Sequence, residues 1–240
     1  MVEANGSKSR FLFLCLKNRQ PQYQAAMDEV GHDIHFVDNL DALLHQCIGS
    51  PPTGVLVDLA TTMRIGISAM LPIHNLNMSW PIMRCNIASD SSVKVMHWSH
   101  NESSDLSSTL DSVSAESSLW TNPNSQRTYI RVDAISRIKI HSDKLETPSV
   151  GNITNMSTGG SLVVTYEPPP AGETVRLEFM DLADQTMECE AKTIWARRWE
   201  DGLKLPGVGF SFDEQNLDPL FKKAATDFLF NNFIRKNLKK

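Results

Sequence analysis

The chain has 240 residues, 41% of them hydrophobic and 21% charged, which is enough apolar content to bury one or two cores and too much for a disordered tail. Its net charge of −5 excludes a protein that holds nucleic acid through a general basic surface. The imbalance lies in the first half: through Leu119 there are 7 Lys and Arg against 12 Asp and Glu, and after it 16 against 16.

The first ten residues are polar, without the apolar core of a signal peptide, and no run is long enough to span a bilayer. A soluble, cytoplasmic protein with no membrane partner is expected. Residues 11–16 form a continuous apolar run, the pattern of a strand buried on both faces. Residues 22–30 suit a short helix ended by Gly31, and residues 34–37 a second strand. Asp38 or Asn39 then caps a helix whose stripe is Leu40, Leu43, Leu44 and Cys47, broken by Gly49 and Pro51-Pro52. A third strand is expected at 54–59, a helix at 64–76 that Pro72 kinks or ends, and two more strands at 81–87 and 93–98. Such alternation predicts an open parallel α/β sheet.

This order resembles the flavodoxin-like receiver domain of response regulators. A working receiver holds Mg²⁺ on a carboxylate pair after its first strand, and Leu16-Lys-Asn-Arg19 offers none. Asp58 ends the third strand, where the phosphoacceptor of a receiver would lie, but without metal ligands it lacks the charge neutralisation phosphoryl transfer requires. The lysine expected after the fifth strand is also missing, since Lys94 lies within the strand. The resemblance therefore implies a degenerate pseudo-receiver that binds a partner or forms a homodimer, with Asp58 a strand-end or capping residue.

Cys15, Cys47, Cys85 and Cys189 form no C-x-x-C pair and have apolar neighbours, so buried free thiols are expected. His97 and His100 flank Trp98 without a third ligand at useful spacing, so no metal site is expected. Residues 100–126 are rich in Ser. Within them Leu106, Leu110 and Val113 keep helical spacing, and 120–126 read as a linker. The expected organisation is a first domain at 1–119, a linker at 120–126 and a second domain at 127–240.

From Ala134 the chain alternates short apolar stretches with turn signals. Strands are expected at 135–141, 149–153, 161–166, 173–179, 187–196 and 208–212, punctuated by Pro168-Pro-Pro170 to Gly172 and by Leu205-Pro-Gly207. Six short strands predict a small closed antiparallel barrel. The tail, 217–238, reads as a helix with an apolar stripe of Leu217, Leu220, Phe221, Ala224, Phe228 and Ile234.

Two motifs sit at the start of this half: Arg127-Thr-Tyr-Ile-Arg131, an R-x-x-x-R, and Asn155-Met-Ser157-Thr-Gly-Gly160, an N-x-S-x-x-G. Either alone is weak, but the pair in this order and spacing is specific. Together with Ala191-Lys-Thr-Ile-Trp195 and Gly207-Val-Gly-Phe210, it resembles the PilZ domains of bacteria, receptors for cyclic dimeric GMP (c-di-GMP). The resemblance implies a six-stranded PilZ-type barrel with a C-terminal helix and a ligand but no cofactor. It also implies a binding set of Arg127, Arg131, Asn155, Ser157 and Gly160, bordered by Trp195. The chemistry suits the ligand. Arginine can fork onto phosphate or guanine O6 and N7 and can stack on a base. Asn155 and Ser157 are short hydrogen-bonding groups, Gly160 allows close backbone approach, and Gly159 permits a turn of unusual φ. No Ser-His-Asp or Cys-His spacing suggests an enzyme. The expected function is a c-di-GMP receptor that binds at the interdomain junction and relays the signal through domain arrangement or a downstream protein. The alternative is a ligand-free adaptor.

Overall fold

The computed structural model describes residues 9–66, 70–76, 79–97, 103–115, 129–202, 204–213 and 216–238. Arg127, Gln126, Trp98, His100 and the expected linker at 120–126 lie outside these residues. The chain separates into two compact units, Met1–Cys47 with Pro51–Thr128, and Ile48–Ser50 with Tyr129–Lys240.

The first unit runs β1 (Arg10–Leu14), α1 (Gln20–Glu29), β2 (Asp33–Val37), α2 (Leu40–Gly49), β3 (Gly54–Asp58), α3 (Leu59–Ile65), α4 (Met70–Leu76), β4 (Ile82–Ile87), β5 (Val93–His97), β6 (Ser103–Asp105) and α5 (Leu106–Ala115). One sheet has the order β2-β1-β3-β4-β5-β6. Strands β1 to β4 pair in parallel, and the apolar runs of β1 and β3 are buried as their composition demands. The sheet is mixed, however, not wholly parallel. Strand β5 turns back antiparallel on β4, and β6 on β5. The reason is length. Only residues 88–92 join β4 to β5, enough for a hairpin and far short of the dozen residues a parallel crossover needs.

Two further expectations change. The helix expected at 64–76 is two helices, because Gly66 at φ +82° closes α3 in a conformation suited to glycine. Pro72 then falls in the first turn of α4, where its missing N–H is harmless. Of the two caps expected for α2, Asn39 is the one formed: its Oδ1 accepts from the Ala42 amide at 2.8 Å.

The second unit is the barrel: β7 (Ser136–His141), β8 (Ser149–Ser157), β9 (Gly160–Thr165), β10 (Thr174–Phe179), β11 (Met187–Arg197) and β12 (Gly207–Phe212), followed by α6 (Pro219–Leu238). The order β10-β11-β12-β9-β8-β7 closes through antiparallel pairing of β7 with β10, which removes the sheet edges. Period-two patterning decides which side chains fill it. In β11, Met187, Cys189, Ala191 and Thr193 are buried, while Glu188, Glu190 and Lys192 are exposed. Phe179, Phe212 and Phe221 pack edge to face with ring centroids 5.1 to 6.1 Å apart, fastening α6 to the barrel.

Helix α6 is turned from the expected stripe. Phe221, Ala225, Leu229 and Phe233 are buried, whereas Leu220 is exposed. The helix is apolar on more than one side, so its sequence alone does not select a face. All four cysteines are free and buried. Among the described residues no helix is long and apolar enough to cross a membrane.

Candidate functional site

The segment leading into the barrel forms one side of the site. Val132 bridges Met156 of β8, its amide donating to the Met156 carbonyl at 2.8 Å and its carbonyl accepting the Met156 amide at 3.0 Å. This antiparallel register sets Arg131 opposite Ser157 and Asp133 opposite Asn155. Alternation along extended chains turns those four residues to one side of the ribbon, and Val132 and Met156 to the buried side. Arg131 and Asp133 are exposed, Asn155 is half-buried and Ser157 is buried at the base.

A row of directly opposed residues continues across the wall: Asn155 faces Leu162 of β9, Leu162 faces Gly209 of β12, and Gly209 faces Trp195 of β11. Three strand spacings separate Asn155 and Trp195 by about 14 Å of backbone. The indole shortens that gap by lying across Gly209, where an added Cβ would stand 2.3 Å from its Nε1. Gly209 is thus the floor beneath Trp195. A bulge between Thr193 and Trp195 sets the tryptophan in this row. The Arg197 guanidinium sits 5.6 Å from the indole centroid and donates through Nε and Nη2 to the Leu205 carbonyl at 2.8 and 2.6 Å.

The next row is Ser157, Gly160, Ser211 and Lys192. Ser157 and Gly160 flank the two-residue turn Thr158-Gly159, and the Ser157 hydroxyl donates to the Gly160 carbonyl at 3.3 Å. A Cβ on Gly160 would lie 2.2 Å from the Phe210 carbonyl oxygen, so this glycine is demanded by the approach of β12. The turn of unusual φ expected at Gly159 is not formed: positive φ among the described glycines occurs at Gly66, Gly172 and Gly202. Gly159 instead accepts the Phe212 amide at 3.0 Å through its carbonyl.

Among the described residues the structure brings Arg131, Asn155, Ser157 and Gly160 together at one end of β8 and β9, with Trp195 along the same outer row. It also adds residues outside the expected binding set. Asp133 Oδ1 accepts from Asn155 Nδ2 at 2.9 Å, and Asp133 Oδ2 pairs with Lys236 Nζ of α6. The Lys236 ammonium, then the Asn155 amide, holds the Asp133 carboxyl below its usual range, so it is ionised at neutral pH. Asp133 could have been suspected from its i+2 spacing to Arg131 in an extended segment. Lys236 stands out in the sequence only as one of the cations that favour the C-terminal end of the tail helix, and nothing flagged Arg197.

In the first unit, Asp58 is fully buried. Arg19 clamps it through Nε at 2.8 Å and Nη2 at 3.0 Å, the Tyr23 hydroxyl donates at 2.5 Å, and the Thr61 amide and hydroxyl donate at 2.8 and 2.7 Å. Asp58 is also the N-cap of α3, matching the capping expectation. Burial alone would raise its carboxyl, but the donors of Arg19, Tyr23 and Thr61 outweigh burial and hold it below the usual value. Arg19 thus supplies a fixed cation after β1, in the stretch Leu16-Lys-Asn-Arg19 that lacks a metal-binding carboxylate pair.

Residues 125–231 match the family model of the PilZ domain, so this stretch of the chain is a PilZ domain. Among solved structures, the chain is similar to the PilZ domain of YcgR from Escherichia coli with c-di-GMP, at 15% identity over 48% of this chain and 100% of that one, with a TM-score of 0.39. It is similar to the Bacillus subtilis inhibitor of motility MotI/DgrA at 14% identity, over 63% of this chain and 72% of that one, with a TM-score of 0.39. It is also similar to the Borreliella burgdorferi PlzA protein in complex with c-di-GMP at 14% identity, over 57% and 52%, with a TM-score of 0.37. No curated protein matches the chain.

Proposed function

We propose that this chain is a receptor for c-di-GMP, held by Arg127, Arg131, Asn155, Ser157 and Gly160 and bordered by Trp195. PilZ domain proteins are c-di-GMP-binding effectors, not enzymes. The observation that carries the proposal is the Val132–Met156 bridge, which brings one arginine of the first motif against the Asn and Ser of the second. In this reading Arg127 and Arg131 take phosphate and guanine, since a guanidinium fork suits both. Asn155 and Ser157 reach a base edge, and Gly160 holds that edge of the site in place by letting β12 close against β9. Trp195, braced by Gly209 and Arg197, offers an apolar face. The test is calorimetric titration of the full chain with c-di-GMP beside the Arg127→Ala/Arg131→Ala double variant. Saturable binding lost in the variant supports the receptor. Absence of binding to the wild type, verified by a second probe, leaves the ligand-free adaptor.

The relay is part of the same proposal. Arg127 and Arg131 flank in sequence the boundary at Tyr129 where the main stretch of the second unit begins, so a ligand held by both arginines couples the two units and alters a contact with a downstream protein. This demands that ligand affinity differ between two arrangements. Scattering profiles that superimpose with and without saturating ligand would remove it. The first unit acts here as a pseudo-receiver that binds a partner or a second copy. The Arg19 clamp supports that reading, because the group that meets the Asp58 carboxylate after β1 is a guanidinium and not a metal-binding carboxylate pair. Labelling of Asp58 by a small phosphodonor in Mg²⁺ would contradict it.

A further inference from the structure

Asp133 belongs to neither motif, yet it is the residue that decides how Asn155 is presented. An ionised carboxylate has only acceptors, so the amide facing Asp133 Oδ1 at 2.9 Å must present its nitrogen. The two polar atoms of an amide diverge from one carbon. With Nδ2 directed at Asp133, the Asn155 carbonyl oxygen is the atom left for a ligand. Lys236 holds the other Asp133 oxygen, which keeps the carboxylate charged and oriented. The Asp133 side chain is still 64% exposed, so a base edge can approach the pair.

We infer that Asp133 is a positioning residue for base selection: by fixing the Asn155 amide it presents acceptors only, and so selects a purine whose Watson–Crick edge carries adjacent N–H donors. This rests on the c-di-GMP reading above. Guanine has that edge, with N1–H beside the 2-amino group. Hypoxanthine keeps N1–H and lacks the amino group. Adenine offers an acceptor at N1, which would face an acceptor. A free Asn155 amide could rotate to suit any of the three, and Asp133 removes that freedom. Its i+2 spacing from Arg131 puts both on the ligand side of one extended segment.

The test compares affinities of the full chain for the cyclic dinucleotides of guanine, hypoxanthine and adenine, in the wild type and in Asp133→Asn. Asparagine has the same shape but can meet Asn155 with either its oxygen or its nitrogen, so it no longer dictates the amide orientation. The readout is the ratio of affinities, because removing one negative charge near a dianion strengthens every ligand alike. The wild type should prefer guanine over adenine by about tenfold or more, the discrimination of a well-made base contact. In Asp133→Asn the preference should fall to about threefold or less. Lys236→Ala, which leaves the carboxylate on Asn155, should keep most of it. Full discrimination in Asp133→Asn overturns the inference. A wild type that binds c-di-GMP without preferring guanine overturns it and leaves the receptor standing. A wild type that binds none of the three overturns both.

Discussion

Two aspartates show how environment decides what one side chain does. Asp58 is fully buried and receives five hydrogen bonds, so it acts as a structural anchor. Asp133 is exposed and shares its two oxygens between an amide and an ammonium, so it can take part in recognition. Arg19→Met would strand the buried Asp58 charge and should lower unfolding stability by about 3–5 kcal/mol in denaturant titration. The folded-state Asp58 carboxyl lies below its unfolded value of about 3.9. Its contribution is therefore present above that pH and lost as pH falls through the folded value. Asp58→Asn should flatten this acid limb, seen as a smaller drop in melting temperature below about pH 4. The glycines of the site act through space. Gly160→Ala brings a Cβ to 2.2 Å from the Phe210 carbonyl and should destabilise by about 1–3 kcal/mol, the usual range for overpacking. In Gly209→Ala the new methyl meets the Trp195 indole, so the change should also appear in near-ultraviolet circular dichroism.

At the scale of elements, two surprises have simple causes. The β4–β5 connection of residues 88–92 is a hairpin because a crossover cannot be built in so few residues. Asp90 supports the turn by accepting from the Ser92 amide at 3.0 Å and its hydroxyl at 2.6 Å. Helix α6 carries apolar residues on more than one side, and the aromatic trio of Phe179, Phe212 and Phe221 chooses the buried one. Neighbouring positions should therefore respond very differently. Phe221→Ala should cost about 3–5 kcal/mol in urea unfolding. Leu220→Ala, at an exposed position, should stay within about 0.5 kcal/mol. Equal losses at the two positions would refute the helix register.

On the scale of the whole molecule, the four cysteines report on both units. Each is buried and free, and burial pushes the Cys15 and Cys189 thiols up to about 12. Native protein should leave a thiol reagent unreacted at pH 8, and denatured protein should release all four. Much of the architecture was legible in the chain. The run Phe11-Leu-Phe-Leu14 announced a strand buried on both faces, and the alternation Met187-Glu-Cys-Glu-Ala191 announced a barrel wall, because strand geometry imposes period two on any sheet with one wet face. The two motifs marked the candidate site by the same kind of local regularity. What the sequence could not supply were relations between residues far apart in the chain. The pairing of Asp133 with Lys236, 103 positions later, the seat of Trp195 on Gly209 and the Arg19 clamp on Asp58 leave no periodic trace. The sequence by itself determined most of the elements and the two motifs that mark the candidate site, through local propensity and spacing. Only the tertiary structure decided strand direction, helix face and the orientation of the Asn155 amide, because each depends on which distant groups fill the space and satisfy the charge.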